Sequence, residues 1–448
     1  MEICTIGGYE EVGKNMTAVK IGEDVFLFDM GFYLPGVIEL QEEPHEEYTV
    51  KGLRRVGAVP DDRVLDNIGW RGKVRAIFIS HAHLDHVGGL QYLVHRYPNV
   101  PIYGTSFTIE VFKSLLEDSK VKIANPIKKV PTSSVHLIPN VSNKIKVEFV
   151  HVTHSTLDCS FIALHTPEGI FFYGLDYKFD DFQTLEKPTD YKRLEEIGKS
   201  GVKVAIIDSL YSGKKESNGT EKDATEKLRE AFSKISNFKS SAIFLTTFSS
   251  HIERLTSIVN LSLKTNREIV FIGRSLFKYV DCASKIERLP FKNKIRILKY
   301  RRQITSFLSK LEKDRSKYII VCTGHQAEKD SILDRIVRGE TPFHFKPDDN
   351  LIFSSSIIPT EVNILAREKM DKKLEQIGVN VQKDVHVHGH GSQRDKEKLI
   401  NLLKPKHIIP AHGSHLQEKS LIELAKEKGY EFNKNVHLAS NGDVISLE

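Results

Sequence analysis

Cysteine is scarce in this 448-residue chain: Cys4, Cys159, Cys282 and Cys322 stand far apart, with no C-x-x-C pair among them. That spacing excludes a disulfide-stapled secreted scaffold and points to reduced thiols in a reducing compartment. Long hydrophobic runs are missing as well. No stretch reaches the roughly 18 apolar residues of a membrane-spanning helix, and Met1-Glu2-Ile3-Cys4 opens no basic leader followed by an apolar segment. A cytoplasmic protein with no membrane partner is expected. Internal repeats and low-complexity segments are also lacking, so the organisation has to be read from apolar runs and their punctuation. Charge of one sign is in slight excess only: 65 Lys and Arg against 59 Asp and Glu leave +6, which permits an acidic partner such as nucleic acid without requiring one.

What is present divides into three regions of an α/β chain. From residue 1 to 209, short β-branched and aromatic runs dominate: Ile3 to Ile6, Val25 to Asp29, Ala76 to Ser80, Lys146 to His151, Gly169 to Asp176 and Val204 to Asp208. Helical patterns at Leu84 to Arg96 and Phe107 to Glu117 lie between some of them. From 210 to 383, apolar strands (Ala242 to Thr247, Glu268 to Gly273, Tyr318 to Gly324, Leu351 to Ser355) alternate with amphipathic helices, the rhythm of a parallel sheet. The linker-like stretch Ser212 to Thr220 marks the approach to this second domain. From 384 to 448 strand-like runs return at Asp384 to Val387, His407 to Pro410, Val436 to Ala439 and Val444 to Leu447. A segment this short is expected to complete the first domain, which makes the middle an insertion.

One cluster carries a chemistry. After the apolar strand Ala76 to Ser80 come His81, His83, Asp85 and His86, then Gly88-Gly89. Two histidines one residue apart project to one side of an extended segment, and the next two ligand types sit at the turn into a helix. A set this dense can hold two divalent metals. Further ligand types stand at other strand ends: His154 after the strand closing at His151, Asp176 after Ile170 to Gly174, and His412 after Ile408 to Pro410. Asp29 closes Val25 to Phe28. The imidazole-rich set suits zinc better than magnesium, and its carboxylates also suit manganese.

The order H-x-H-x-D-H, a lone His, an Asp after an apolar strand and a late His resembles the metallo-β-lactamase superfamily over residues 1–209 and 384–448. That resemblance implies an αββα sandwich. It assigns His81, His83 and His154 to one zinc and Asp85, His86 and His412 to a second, with Asp176 bridging and Asp29 in support. The 235 residues between Asp176 and His412 then hold the insertion. Its strand ends, T-F-S-S-H, G-R-S-L, C-T-G-H-Q and F-S-S-S-I-I-P, resemble the β-CASP insertion of nucleic-acid-processing members, and within that group the ribonuclease J family, over almost the whole chain. Small hydroxyl residues at successive ends of parallel strands fit a phosphate-binding rim, although each taken singly also reads as a helix cap.

The same resemblance matches Asp208 to the group's first acidic motif and His386-Val387-His388-Gly389-His390 to the H-x-S-G-H run that grips phosphate, with His390 beside the scissile bond. His388 stands where the family usually has serine, and Ser414 follows Gly413 where bacterial members usually carry glutamate. With neither an N-terminal nucleic-acid-binding extension nor a domain after Glu448, the chain resembles the short archaeal form. The implied function is a zinc-dependent 5′-to-3′ exoribonuclease on single-stranded RNA, acting as a homodimer with two zinc ions per chain; internal cutting and a small-molecule metallo-hydrolase are the alternatives. Two metals sharing a water bring its pKa toward neutrality. Asp85 and Asp208 are candidates to orient it, and His390 is a candidate general acid or a phosphate contact. Ser249 and Ser355 are expected on the substrate, with Phe248 as a base-stacking ring or a buried strand-end residue. The run Lys292, Lys294, Arg296, Lys299, Arg301 and Arg302 reads as a solvated face or a phosphate track.

Overall fold

The computed structural model describes residues 1–42, 48–358 and 361–447. Pro359, the last residue of F-S-S-S-I-I-P, lies outside them. The chain forms two compact units: Met1–Asp181 with Glu186–Asn218 and Gly389–Glu448, and Phe182–Leu185 with Gly219–His388.

The first unit is built on two sheets. One runs in the order Val444–Ser446, Glu2–Gly7, Met16–Ile21, Asp24–Phe28, Val74–Ile79, Ile102–Gly104, Ile127–Lys129, antiparallel through Asp24–Phe28 and parallel beyond it. The other runs His407–Ala411, Val202–Asp208, Gly169–Gly174, Ser160–Thr166, Lys146–His151, Ser134–Leu137. Period-two alternation explains how they pack. Val204 and Ile206 point into a core shared with Phe26, Phe28 and Phe78 of the first sheet, where the Phe28 and Phe171 ring centroids lie 4.8 Å apart. Ala205 and Ile207, on the opposite face of the same strand, meet helices Tyr191–Lys199, Gln393–Leu403 and His415–Glu427 through Leu194, Ile197, Leu399, Leu403 and Leu421. Burial on both faces is why this strand reads as one continuous apolar run.

The C-terminal segment closes the second sheet. His407–Ala411 pairs in parallel with Val202–Asp208, register Asp208 to Ala411, so the ends of two strands distant in sequence arrive side by side.

The second unit carries a parallel sheet in the order Arg296–Leu298, Glu268–Ile272, Tyr318–Cys322, Ile243–Thr246, Asn350–Phe353, Asn380–Gln382. The four strands expected from the sequence are adjacent in it, so their hydroxyl-rich ends fall along one edge.

Three local expectations are corrected. Asp384 to Val387 is not a strand: Asp384 has φ +59°, which interrupts an extended backbone, and the strand here is Asn380–Gln382. In Val436 to Ala439, Val436 makes two isolated bridges, to Ile408 and to Phe432, in place of a ladder. Leu84 to Arg96 is not one helix but Leu84–Val87, Leu90–Leu93 and a 3-10 turn at Val94–Arg96. The interruption falls at Gly88-Gly89, where a Cβ on Gly89 would sit 2.7 Å from the Gly31 carbonyl, so close backbone approach takes precedence over helix continuity.

A half-buried ion pair ties helix Tyr191–Lys199 to the second sheet. Glu148 accepts from Arg193 Nε at 2.6 Å and Nη2 at 2.9 Å, and from His165 Nε2 at 2.8 Å. Burial alone would raise its pKa, but the bonds from His165 and Arg193 outweigh burial and hold it at about 2. A depressed carboxyl contributes stability above its ordinary value of 4.5, and that contribution is lost as pH falls toward 2. Glu148→Gln is therefore expected to destabilise the protein by about 1–2 kcal/mol at pH 7. Thermal melts should show the gap to wild type narrowing below pH 4.5; a gap that does not change with pH would remove the ion pair as its cause.

Candidate metal centre

Four strand ends of the first unit converge. Strand Val74–Ile79 delivers His81 and His83, and the short helix after it carries Asp85 and His86. His154 follows Lys146–His151, Asp176 follows Gly169–Gly174 and His412 follows His407–Ala411. Asp29, Asp176 and His412 each adopt left-handed backbone, φ +57°, +49° and +53°. Non-glycine residues adopt this region rarely, and three at strand ends facing one cluster mark backbone held in place by its surroundings.

The side chains form two groups. His81, His83, His154 and Asp176 offer ligand atoms within 4.8 Å of one another, and so do Asp85, His86, Asp176 and His412. Asp176 belongs to both. Its Oδ2 lies 3.5 Å from His81 Nε2 and 3.6 Å from His154 Nε2, and its Oδ1 lies 3.1 Å from His86 Nε2 and 3.5 Å from His412 Nε2.

Neighbouring groups orient each ring. His154 Nδ1 donates to the Gly389 carbonyl at 2.8 Å, and His83 Nδ1 faces His154 Nε2 at 3.0 Å. Ser80 Oγ donates to Asp29 Oδ2 at 2.8 Å and lies 3.0 Å from His81 Nδ1. Asp29 Oδ2 also sits 2.7 Å from His86 Nδ1. His412 Nδ1 lies 3.0 Å from Asn15 Oδ1, whose partner Nδ2 donates to the Asp85 carbonyl. Apart from the His83–His154 contact, which joins two cluster-facing nitrogens, these contacts fix the tautomer and turn the other ring nitrogen toward the cluster.

Two observations fit this set to divalent cations. His81 Nε2 and Asp176 Oδ1 are buried with no hydrogen-bond partner, an arrangement that is costly unless a cation takes the lone pairs. Burial, reinforced by neighbouring imidazoles, also pushes His81 and His154 well below the usual histidine pKa and His83 down to about 4, which keeps all three as neutral rings, the form that ligates. Burial opposes ionisation of Asp176, yet His412, His86 and His390 outweigh it and hold the carboxyl well below its ordinary range.

His390 stands beside both groups without belonging to either. Its ring stacks on His412, centroids 5.4 Å apart at 11°, and its Nε2 lies 3.6 Å from Asp176 Oδ2. On the other side Nδ1 meets Asp208 Oδ2 at 3.1 Å. Asp208, expected from the sequence to orient the attacking water, has its oxygens engaged by His390, by Lys396 Nζ at 2.8 Å and by the Leu210 amide at 2.8 Å. Its carboxyl is held below the ordinary range because Lys396 and His390 outweigh the burial that opposes ionisation. Gly389 is sterically required: a Cβ there would lie 2.6 Å from Ser155 Oγ.

Lys396 and Asn15 were not foreseen. Lys396 did leave a signal, because it falls on the buried stripe Lys396, Leu399, Ile400, Leu403 of helix Gln393–Leu403, where a charge needs a partner. Asn15 left none in the local pattern.

The remaining expected residues lie in the second unit. Phe248 is partly exposed and packs edge-on to His325, centroids 4.4 Å apart, and 5.9 Å from His386. Ser249 Oγ bonds Ser275 Oγ at 3.1 Å, and Ser355 Oγ is buried with no partner. Val387 is buried against Gly219, and the His388 ring lies 5.6 Å from that of His386. Of the basic run, Lys292, Lys294, Arg296, Arg301 and Arg302 are exposed, while Lys299 rests 4.0 Å over the Phe277 ring.

Residues 10–179, which hold all of these metal-site positions except His412, match the metallo-beta-lactamase superfamily; residues 240–370 match "Ribonuclease J, beta-CASP domain", and residues 376–439 match "Zn-dependent metallo-hydrolase RNA specificity domain". Ribonuclease J of Pyrococcus abyssi is 38% identical across 100% of this chain and 97% of its own length. The chain belongs to the ribonuclease J family. Ribonuclease J of Methanocaldococcus jannaschii is 36% identical over 100% of this chain and 99% of its own, and Ribonuclease J 1 of Streptococcus pyogenes is 29% identical over 99% of this chain and 74% of its own. A crystal structure of a protein of unknown function from Enterococcus faecalis V583 shares the fold, with a TM-score of 0.65 at 16% identity over 99% of both chains. The family's β-CASP segment contains Phe248, Ser249 and Ser355, and its RNA specificity segment contains His386 to His390 and His412. No helix among the described residues is long and apolar enough to cross a membrane.

Proposed function

We propose that this chain is a two-zinc ribonuclease that removes nucleotides from the 5′ end of single-stranded RNA, in the cytoplasm and as a homodimer. Family membership supplies the coarser statement: it is a metal-dependent ribonuclease that binds RNA. The observation that carries the two-metal reading is the sharing of Asp176 by two four-residue ligand sets, and the 5′-to-3′ direction rests on the family resemblance. His81, His83 and His154 with Asp176 would hold one zinc, and Asp85, His86 and His412 with Asp176 the other. The imidazole-rich first set favours zinc, while the carboxylate-rich second also suits manganese. When bound, such a pair supplies a water acidified toward neutrality and positive charge for the phosphoryl oxygens.

The chain's own residues do the rest. Asp85 orients the water that attacks phosphorus. As the bond to the 3′ oxygen breaks, His390 gives that oxygen its proton, and Asp208, backed by Lys396, holds the imidazole for the transfer. His386, Val387, His388 and Gly389 grip the RNA backbone, Ser249 and Ser355 supply hydroxyl donors, and Phe248 stacks on a base. The catalytic domain is read as 1–209 with 384–448 and the insertion as 210–383. Four buried cysteines with no disulfide among them fit a reducing compartment, and the homodimer rests on the family resemblance.

The test is single-stranded RNA labelled at its 5′ end, incubated with zinc-loaded protein. Labelled mononucleotide as the first product is the expected result. Labelled fragments of intermediate length appearing first would replace exonuclease action by internal cutting.

A further inference from the structure

A fully buried arginine has to be surrounded by acceptors, and the partners it selects reveal what it holds in place. Arg254, in the first turn of helix Ile252–Ser262, has 0% exposure and plays no part in the chemistry above. Its Nη2 donates to Glu221 Oε1 at 2.6 Å and its Nε to Oε2 at 3.0 Å, a two-pronged clamp. The remaining Nη1 donates to Ser354 Oγ at 3.1 Å and to the Ser354 carbonyl at 3.3 Å, and lies 3.1 Å from His386 Nδ1.

A guanidinium has no lone pair to offer. In that contact His386 Nδ1 must therefore accept, which leaves the ring's proton on Nε2. The backbone beside it is held by the same group of residues: Ser354 Oγ, itself an acceptor from Arg254, donates to the Val385 carbonyl at 2.9 Å, and Lys227 Nζ donates to the His386 carbonyl at 2.9 Å. This is the stretch that left the extended conformation at Asp384, so side chains do there what a strand ladder does elsewhere.

We propose that Arg254, clamped by Glu221, is a positioning residue for RNA recognition: it fixes His386 as a neutral imidazole whose Nε2–H is the donor offered to an RNA phosphate oxygen. The inference rests on the reading of His386 as an RNA contact. A lysine could keep the charge at position 254, but it lacks the planar fork that reaches Glu221, Ser354 and His386 together.

The test uses the full-length, zinc-loaded chain with ¹⁵N-labelled histidine, the His386 signals being assigned by their loss in His386→Ala. Wild type should show Nδ1 unprotonated and Nε2 protonated. Because Arg254→Met alone removes the guanidinium that neutralises the buried Glu221 carboxylate, it is paired with Glu221→Gln. In that double variant the fixed tautomer should give way to a mixture, and KM for RNA should rise about tenfold, as in His386→Ala, with kcat and zinc content little changed. Arg254→Lys should not restore KM. Adding His386→Ala to the double variant should raise KM no further, because the residues act through one contact. An unchanged tautomer, or KM effects that multiply, overturns the proposal. If His386→Ala raises KM and the Arg254 variants do not, the proposal alone fails; if His386→Ala leaves KM unaltered, the reading of His386 fails and takes the proposal with it.

Discussion

Asp176→Asn is expected to empty the metal centre and to slow RNA cleavage by about 10⁴-fold or more. Each of the two ligand groups has its own histidines, but Asp176 is common to both, so one substitution affects both at once. Asparagine keeps the size of the side chain and the left-handed backbone at φ +49°, which this residue type tolerates, so the fold should persist. What disappears is a negative charge and one of two oxygens, at a position where His81 Nε2 and Asp176 Oδ1 already lack hydrogen-bond partners. Elemental analysis of purified protein, alongside circular dichroism, separates loss of metal from loss of structure. A folded variant that retains two metals per chain and cleaves within tenfold of wild type would show that Asp176 is not the shared ligand. In contrast, Asp29→Asn should act more mildly, because Asp29 reaches the cluster only through Ser80 and His86.

Several residues of this centre were legible in the sequence because they obey one physical rule. In these sheets the chain turns within two residues of the end of a buried strand, and a ligand type stands at that turn. Asp29, His81, Asp176 and His412 all stand there, so apolar runs ending in a ligand type were sufficient to find them. Lys396 and Asn15 follow no such rule. The lysine sits in a helical stripe whose other members are ordinary core residues, and only the three-dimensional position of Asp208 explains it. Asn15 precedes a strand and works across 397 residues of sequence, on His412. The misread strands fail for a related reason. Val385 and Val387 are buried and β-branched, as in a strand, but their burial comes from packing of an irregular segment tethered by Ser354 and Lys227. Apolar pattern reports burial faithfully and backbone pairing only indirectly.

His390→Ala should lower kcat by about 10²–10⁴-fold while both metals and the KM for RNA remain close to wild type. The expectation follows from its place: stacked on His412 and 3.6 Å from Asp176, but absent from both ligand groups. Loss of metal in this variant would mean that the ligand sets are wrongly drawn. A kcat defect alone does not distinguish proton donation from charge stabilisation, but leaving-group chemistry does. If His390 protonates the departing 3′ oxygen, RNA carrying a 3′ bridging sulfur, whose thiolate departs without a proton, should recover most of the lost rate in His390→Ala. An equal defect on the oxygen and sulfur linkages would assign the residue to phosphate binding. Asp208→Asn should give a smaller version of the same pattern, provided it is combined with Lys396→Met: the single change leaves a lysine with 0% exposure unpaired, at about 3–5 kcal/mol, and that instability would mask the catalytic effect. Recovery on the sulfur linkage in the double variant as well would assign Asp208 to the orientation of His390, and its absence there would return Asp208 to the water it was first expected to hold.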